Sequence, residues 1–137
     1  MEVASYLVFN GQCEDAFRFY EQCFGGKIEL MLNHEGAPTE NEIPAEWRKK
    51  IMHARLKVGD GVLMGSDAPS QHYERPQGFS VQLAMNDRAE ADRIFRALSE
   101  NGKVCMPIQK TFWADGFGMV VDQFGTPWMI NCYGGCQ

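Results

Sequence analysis

The sequence predicts an α+β protein built from two βαβββ modules. Three observations predict it. Two amphipathic helical patterns each end at glycine, a strand-like apolar run precedes each of them, and several more such runs follow. Gly26-Lys27-Ile28 recurs as Gly102-Lys103-Val104, and at the same offset Phe19 corresponds to Phe95. At 137 residues the chain has the length of one domain. The expected layout is a single domain over 1–137, with module one at about 1–67, a linker at about 68–77 and module two at about 78–137.

VASYLVF, at residues 3–9, reads as the first strand. Cys13, Ala16, Phe17, Tyr20, Cys23 and Phe24 then place one apolar stripe along a helix. Asn10 or Gly11 is positioned to cap that helix, and Gly25-Gly26 supplies a left-handed stop. KIELML follows as a strand, and the polar stretch from Asn33 to Lys50, punctuated by Pro38 and Pro44, reads as a loop with one helical turn at 45–50. In the next strand Met52, Ala54, Leu56 and Val58 alternate with His53, Arg55 and Lys57, and Gly59-Asp60-Gly61 turns the chain into VLMGSD.

In the second half, GFSVQLAM sets Phe79, Val81, Leu83 and Met85 against Ser80, Gln82, Ala84 and Asn86. Asp87 with Glu90 forms a capping-box pattern ahead of a helix whose buried face is Ala91, Ile94, Phe95 and Leu98, ending at Asn101-Gly102. Residues 111–121 and 126–133 read as the last strands, with a bend or bulge expected at Gly116 and Gly118.

Composition removes several function classes. Net charge is −5, and Arg48-Lys49-Lys50 is the one basic triplet, so no nucleic-acid partner is expected. The beginning MEVASYLVFNGQ lacks the basic and long apolar regions of a signal peptide, and no apolar run approaches membrane-spanning length. The expected location is cytoplasmic, with no membrane partner. Cys13, Cys23, Cys105, Cys132 and Cys136 are scattered, with no CxxC pair, and read as free thiols.

YLVFNGQCEDAFRFYEQCFGGK, IMHARL, LMGSD and TFWADGFGMVVDQFGTPWMIN, in this order, resemble the PhnB-like branch of the glyoxalase/bleomycin-resistance, or vicinal oxygen chelate, superfamily. The resemblance covers nearly the whole chain. It implies that the paired βαβββ modules form a curved mixed sheet around a cavity, with the helices on the outer face, and that the chain forms a homodimer. Members often carry a label as demethylubiquinone methyltransferases. The glycines do not suit that chemistry: methyl transfer from S-adenosylmethionine calls for a glycine-rich strand-to-helix turn, whereas Gly25, Gly26 and Gly102 end helices and Gly59 and Gly61 join strands.

Metal-dependent relatives hold a divalent ion with His, Gln or Glu on the first and last strands of each module. The corresponding positions here are Ala4 or Ser5, Met64, Ser80 and Met129, none a good ligand for a hard or borderline ion. No metal site and no cofactor are therefore expected. The leading expectation is a metal-free cavity that binds a small organic ligand through Ser80 and Gln82, joined by His53, within an aromatic lining of Phe112, Trp113, Phe117 and Trp128. Two alternatives stay open. One is an enzyme of the lyase, isomerase or dioxygenase type, using an unrecognised metal site or His53 as general base with Ser80 or Asp67 as its partner. The other is a non-catalytic dimeric interaction protein whose aromatic end segment forms the interface.

Overall fold

Each predicted module forms its own four-stranded sheet, in a computed structural model that describes residues 1–134. The chain divides into two units, Met1–Glu74 and a second from Arg75 onward, and this boundary falls inside the expected linker. Unit one contains β1 (Ser5–Phe9), α1 (Cys13–Phe24), β2 (Lys27–Asn33), β3 (Ile51–Val58) and β4 (Gly61–Asp67). Unit two contains β5 (Val81–Met85), α2 (Arg88–Ser99), β6 (Lys103–Gln109), β7 (Gly116–Val121) and β8 (Pro127–Cys132). The strand orders are β1-β4-β3-β2 and β5-β8-β7-β6. In both sheets the module's first strand runs parallel to its last, and the other pairings are antiparallel. The internal repeat is therefore a repeat of topology.

The helices bury the stripes their spacing predicts. Cys13, Ala16, Phe17, Tyr20 and Cys23 of α1 are buried, as are Ala91, Ile94, Phe95 and Leu98 of α2. Phe95 is buried, whereas Phe19, its match in sequence, is half-buried. Gly25 ends α1 with φ 71, and Asn101, at φ 59, follows the end of α2. The Asp87 carboxylate accepts the Ala89 N–H at 3.0 Å, but Glu90 turns to Arg93, at 2.7 Å, rather than completing a reciprocal box.

The start of α1 is held differently from the local cap expected at Asn10 or Gly11. Gln12 occupies the cap position with no side-chain bond. The carboxylate comes instead from the end of β4: Asp67 accepts the Cys13 N–H through Oδ1 and the Ile51 N–H through Oδ2, both at 2.9 Å. One side chain thereby ties together the ends of a helix and two strands.

Three strand expectations also change. A register shift between β2 and β3 makes Met52 the extra residue, so it is exposed while Ile51 takes the core position. The strand expected from residue 111 starts at Gly116, because Thr111 Oγ1 accepts the Ala114 N–H in a turn. The bulges of sheet two fall in β6, where Pro107 is tolerated on an edge strand, rather than at the glycines of β7. Gly118 makes room for α2 instead: a Cβ there would lie 2.7 Å from Phe95 Cε2. Cys13, Cys23 and Cys132 are buried free thiols and Cys105 is an exposed one, while Cys136 lies outside the described residues. Among the described residues no helix is long and apolar enough to cross a membrane.

Candidate functional site

Alternation along the strands of unit two separates a packed face from an open one. Gly118 abuts Phe95 of α2, so its cross-strand partner Ile130, together with Val120, Trp128, Val81 and Leu83, belongs to the helix side. The residues between them line the other face in two rows. Ala84, Asn131 and Phe117 stand side by side on β5, β8 and β7, with Gln109 of β6 beyond. In the neighbouring row stand Gln82, Met129, Met119 and Met106.

A short chain of hydrogen bonds orients the polar groups. Trp113 Nε1 donates to Asn131 Oδ1 at 3.3 Å, and Asn131 Nδ2 donates to Gln82 Oε1 at 2.8 Å. Gln82 Nε2 has no partner among the described residues and remains available as a donor. Trp113 packs edge-on against Phe117, with ring centroids 5.3 Å apart, and Phe112 packs edge-on against Trp113 at 4.8 Å. The three methionines supply a polarizable and adaptable surface beside this polar step.

The structure thus brings Gln82, Trp113 and Phe117 together and adds Asn131, which the sequence reading missed. The signal was present: in PWMINC, Asn131 falls on the same alternation as Met129, opposite Trp128, Ile130 and Cys132. Phe112 is almost wholly exposed, and Ser80 lies half-buried just before β5. Trp128 departs from its expected place in the lining. It is 0% exposed on the helix side, and its indole N–H donates to Asp122 Oδ2 at 2.8 Å. Its size and its N–H are both used inside the core.

His53 lies on the open face of unit one, paired in register with Leu32. Its ring stacks on Tyr6 with centroids 5.7 Å apart, and its Nδ1 lies 3.2 Å from the Tyr6 hydroxyl. Asp67 is not a carboxylate partner for it, since both Asp67 oxygens are engaged at the starts of α1 and β3. Arg55 on the same sheet pairs with Glu29 at 3.0 Å.

Of the positions named above for metal ligands, Ser5 opens β1, Ser80 lies just before β5, Met64 is in β4 and Met129 is in β8. Tyr6 pairs with Met64 across β1 and β4, and Gln82 pairs with Met129 across β5 and β8. The hydroxyls and thioethers at these positions do not suit a hard or borderline divalent ion, nor do the Tyr6 phenol and the Gln82 amide opposite the two methionines, the amide oxygen already accepting a hydrogen bond. Among the described residues there is no group of three or more His, Cys, Asp or Glu able to hold one.

Two modules of identical strand order, each with one helix, define a fold of the glyoxalase/bleomycin-resistance/dioxygenase class. A protein of that family from Burkholderia phytofirmans PsJN shares it at TM-score 0.62 and 12% identity, over 95% of this chain and 96% of that one. A PhnB protein from Bacillus cereus shares it at TM-score 0.81 and 19% identity, over 96% and 99%. Closer in sequence, protein PA1353 from Pseudomonas aeruginosa is 47% identical with TM-score 0.88, covering 98% of both chains. Protein YjdN from Escherichia coli (strain K12) is 34% identical over 96% of this chain and 95% of its own length. The sequence model of the 3-demethylubiquinone-9 3-methyltransferase family matches residues 1–131. The chain belongs to that family, and its fold is that of the glyoxalase/bleomycin-resistance proteins.

Proposed function

We propose that this PhnB-like protein binds a small planar organic molecule on the open sheet face of unit two, without a metal ion. The observation that carries this reading is the ordered run from Trp113 through Asn131 to Gln82, which fixes the Gln82 amide and leaves its Nε2 with no partner among the described residues, on the same face as three methionines and Phe117. A flat apolar body suits the methionine and aromatic surface, and a carbonyl group suits the amide donor. Lys103, at the β6 edge, is the one charged side chain among the strand positions assigned to this face, which favours a neutral ligand. Ser80, next to β5, and Phe112, next to Trp113, belong to the margin of this reading.

Methyl transfer is not part of it. Each sheet has a single parallel strand pair, so the parallel glycine-turn platform for S-adenosylmethionine is missing from the described sheets. Two further features of the reading are pairing of two chains and a reducing cytoplasmic setting. Exposed Phe79 and Phe112 support pairing, and the free thiols Cys13, Cys23, Cys105 and Cys132 support the setting. Light scattering that gives the mass of one chain would remove the pairing.

The binding claim is tested by calorimetric titration with coumarin, a planar lactone. Wild-type protein is expected to bind it, and Gln82→Leu to bind about tenfold more weakly through loss of one hydrogen bond. Equal affinity of the two proteins would defeat the assignment.

A further inference from the structure

Unit one contains a separate cleft of about 450 Å³, between the loop that follows β2 and the segment that follows β4. Ile43, Trp47 and Pro69 give it apolar walls. Its polar members differ in how far they are already used. Asp67 accepts two backbone N–H groups, and the Ser70 hydroxyl bonds Asn10 Oδ1 at 3.2 Å. His34, also on the wall, keeps its backbone N–H on Arg48 O at 2.9 Å, yet its side-chain Nδ1 is buried with no hydrogen-bond partner among the described residues. A buried unpartnered nitrogen is costly and calls for an explanation. Terminal rotation of an imidazole is soft, and an occupant of the cleft able to hydrogen-bond that nitrogen would reward a turn of the ring toward it.

We propose that this cleft is a second binding site, for an uncharged aromatic hydroxyl compound of one or two rings. Its volume falls in the range of small-molecule sites. Trp47 and the prolines receive a flat ring. A hydroxyl both donates and accepts, so it satisfies His34 Nδ1 in either tautomer. The carboxylates of Glu46 and Asp67 stand on the wall with no Lys or Arg among the lining residues, which disfavours an anion. This proposal concerns a different surface from the face of unit two and does not depend on it.

The test is an NMR titration of the full chain with 2-naphthol, naphthalene and 2-naphthoate, following the Trp47 indole N–H and the His34 ring. The expected result is that 2-naphthol shifts both signals, that naphthalene binds about tenfold more weakly for want of the hydroxyl, and that 2-naphthoate does not bind. His34→Phe should bring 2-naphthol down to the level of naphthalene, and Trp47→Ala should weaken both. Gln82→Leu should change none of this, which separates a failure here from a failure of the unit-two site. Equal binding of 2-naphthol and naphthalene, or 2-naphthol shifts confined to unit two, would overturn the proposal. These wild-type comparisons decide the matter even if the His34 variant does not fold.

Discussion

Replacing Asp67 separates a structural carboxylate from a catalytic one. In the wild-type chain it accepts two backbone N–H groups at 2.9 Å, one at the first residue of α1 and one at the first residue of β3. Hydrogen bonds to a charged acceptor contribute about 1.5–3 kcal/mol each, and the low end applies to this half-buried side chain. Asn keeps one acceptor and turns a donor toward the other N–H, so Asp67→Asn should cost about 2 kcal/mol. Ala loses both acceptors and the favourable charge at the helix start, so Asp67→Ala should cost about 3 kcal/mol. At about 4 °C per kcal/mol, the melting temperature should fall by about 8 and 12 °C. Circular dichroism during heating measures this, and amide exchange should accelerate at Cys13 and Ile51 before it does elsewhere. If Asp67→Asn stays within about 0.5 kcal/mol of wild type with unchanged exchange at those two amides, the clamp is refuted.

Trp128→Ala should lower stability by about 3–5 kcal/mol in urea unfolding, because a side chain 0% exposed leaves a large cavity in the core. An unchanged midpoint would return Trp128 to the ligand surface. Burial first, then the charges of Asp67 and Glu14, push the Cys13 thiol far above its ordinary range, so it should resist iodoacetamide in the folded protein. Exposed Cys105 should be alkylated, and peptide mapping by mass spectrometry distinguishes the two. Elemental analysis of purified protein should find no stoichiometric zinc, nickel, iron or manganese, because Ala4 or Ser5, Met64, Ser80 and Met129 are poor ligands; one tightly held ion per chain would overturn this.

The helices were legible because a 3.6-residue period is a local signal, and all four residues predicted for the buried face of α2 occupy it. Features that depend on distant residues were not. The carboxylate at the start of α1 lies 54 positions away in sequence, and no pattern near Asn10 or Gly11 announces it. Bulges defeated simple alternation: Met52 leaves the core because β2 and β3 slip by one residue, and Met106 joins Met119 only after a shift in β6. At the candidate site, strand parity alone would have moved Trp128 to the core and brought in Asn131, but aromatic size drew attention to the tryptophan. The connection from Trp113 to Asn131 spans 18 residues and became visible only when the loop before β7 had a position.

The most direct test of ligand binding on unit two follows the methionine methyl groups by NMR as coumarin is added. Met106, Met119 and Met129 line one row of the open face beside Gln82, whereas Met52 is exposed at a bulge in unit one. The account predicts saturable shifts of those three methyls together with the Gln82 side-chain amide, while Met52 stays still. Shifts at Met52 as large as those at Met119, or a motionless Gln82 amide at saturation, would contradict it.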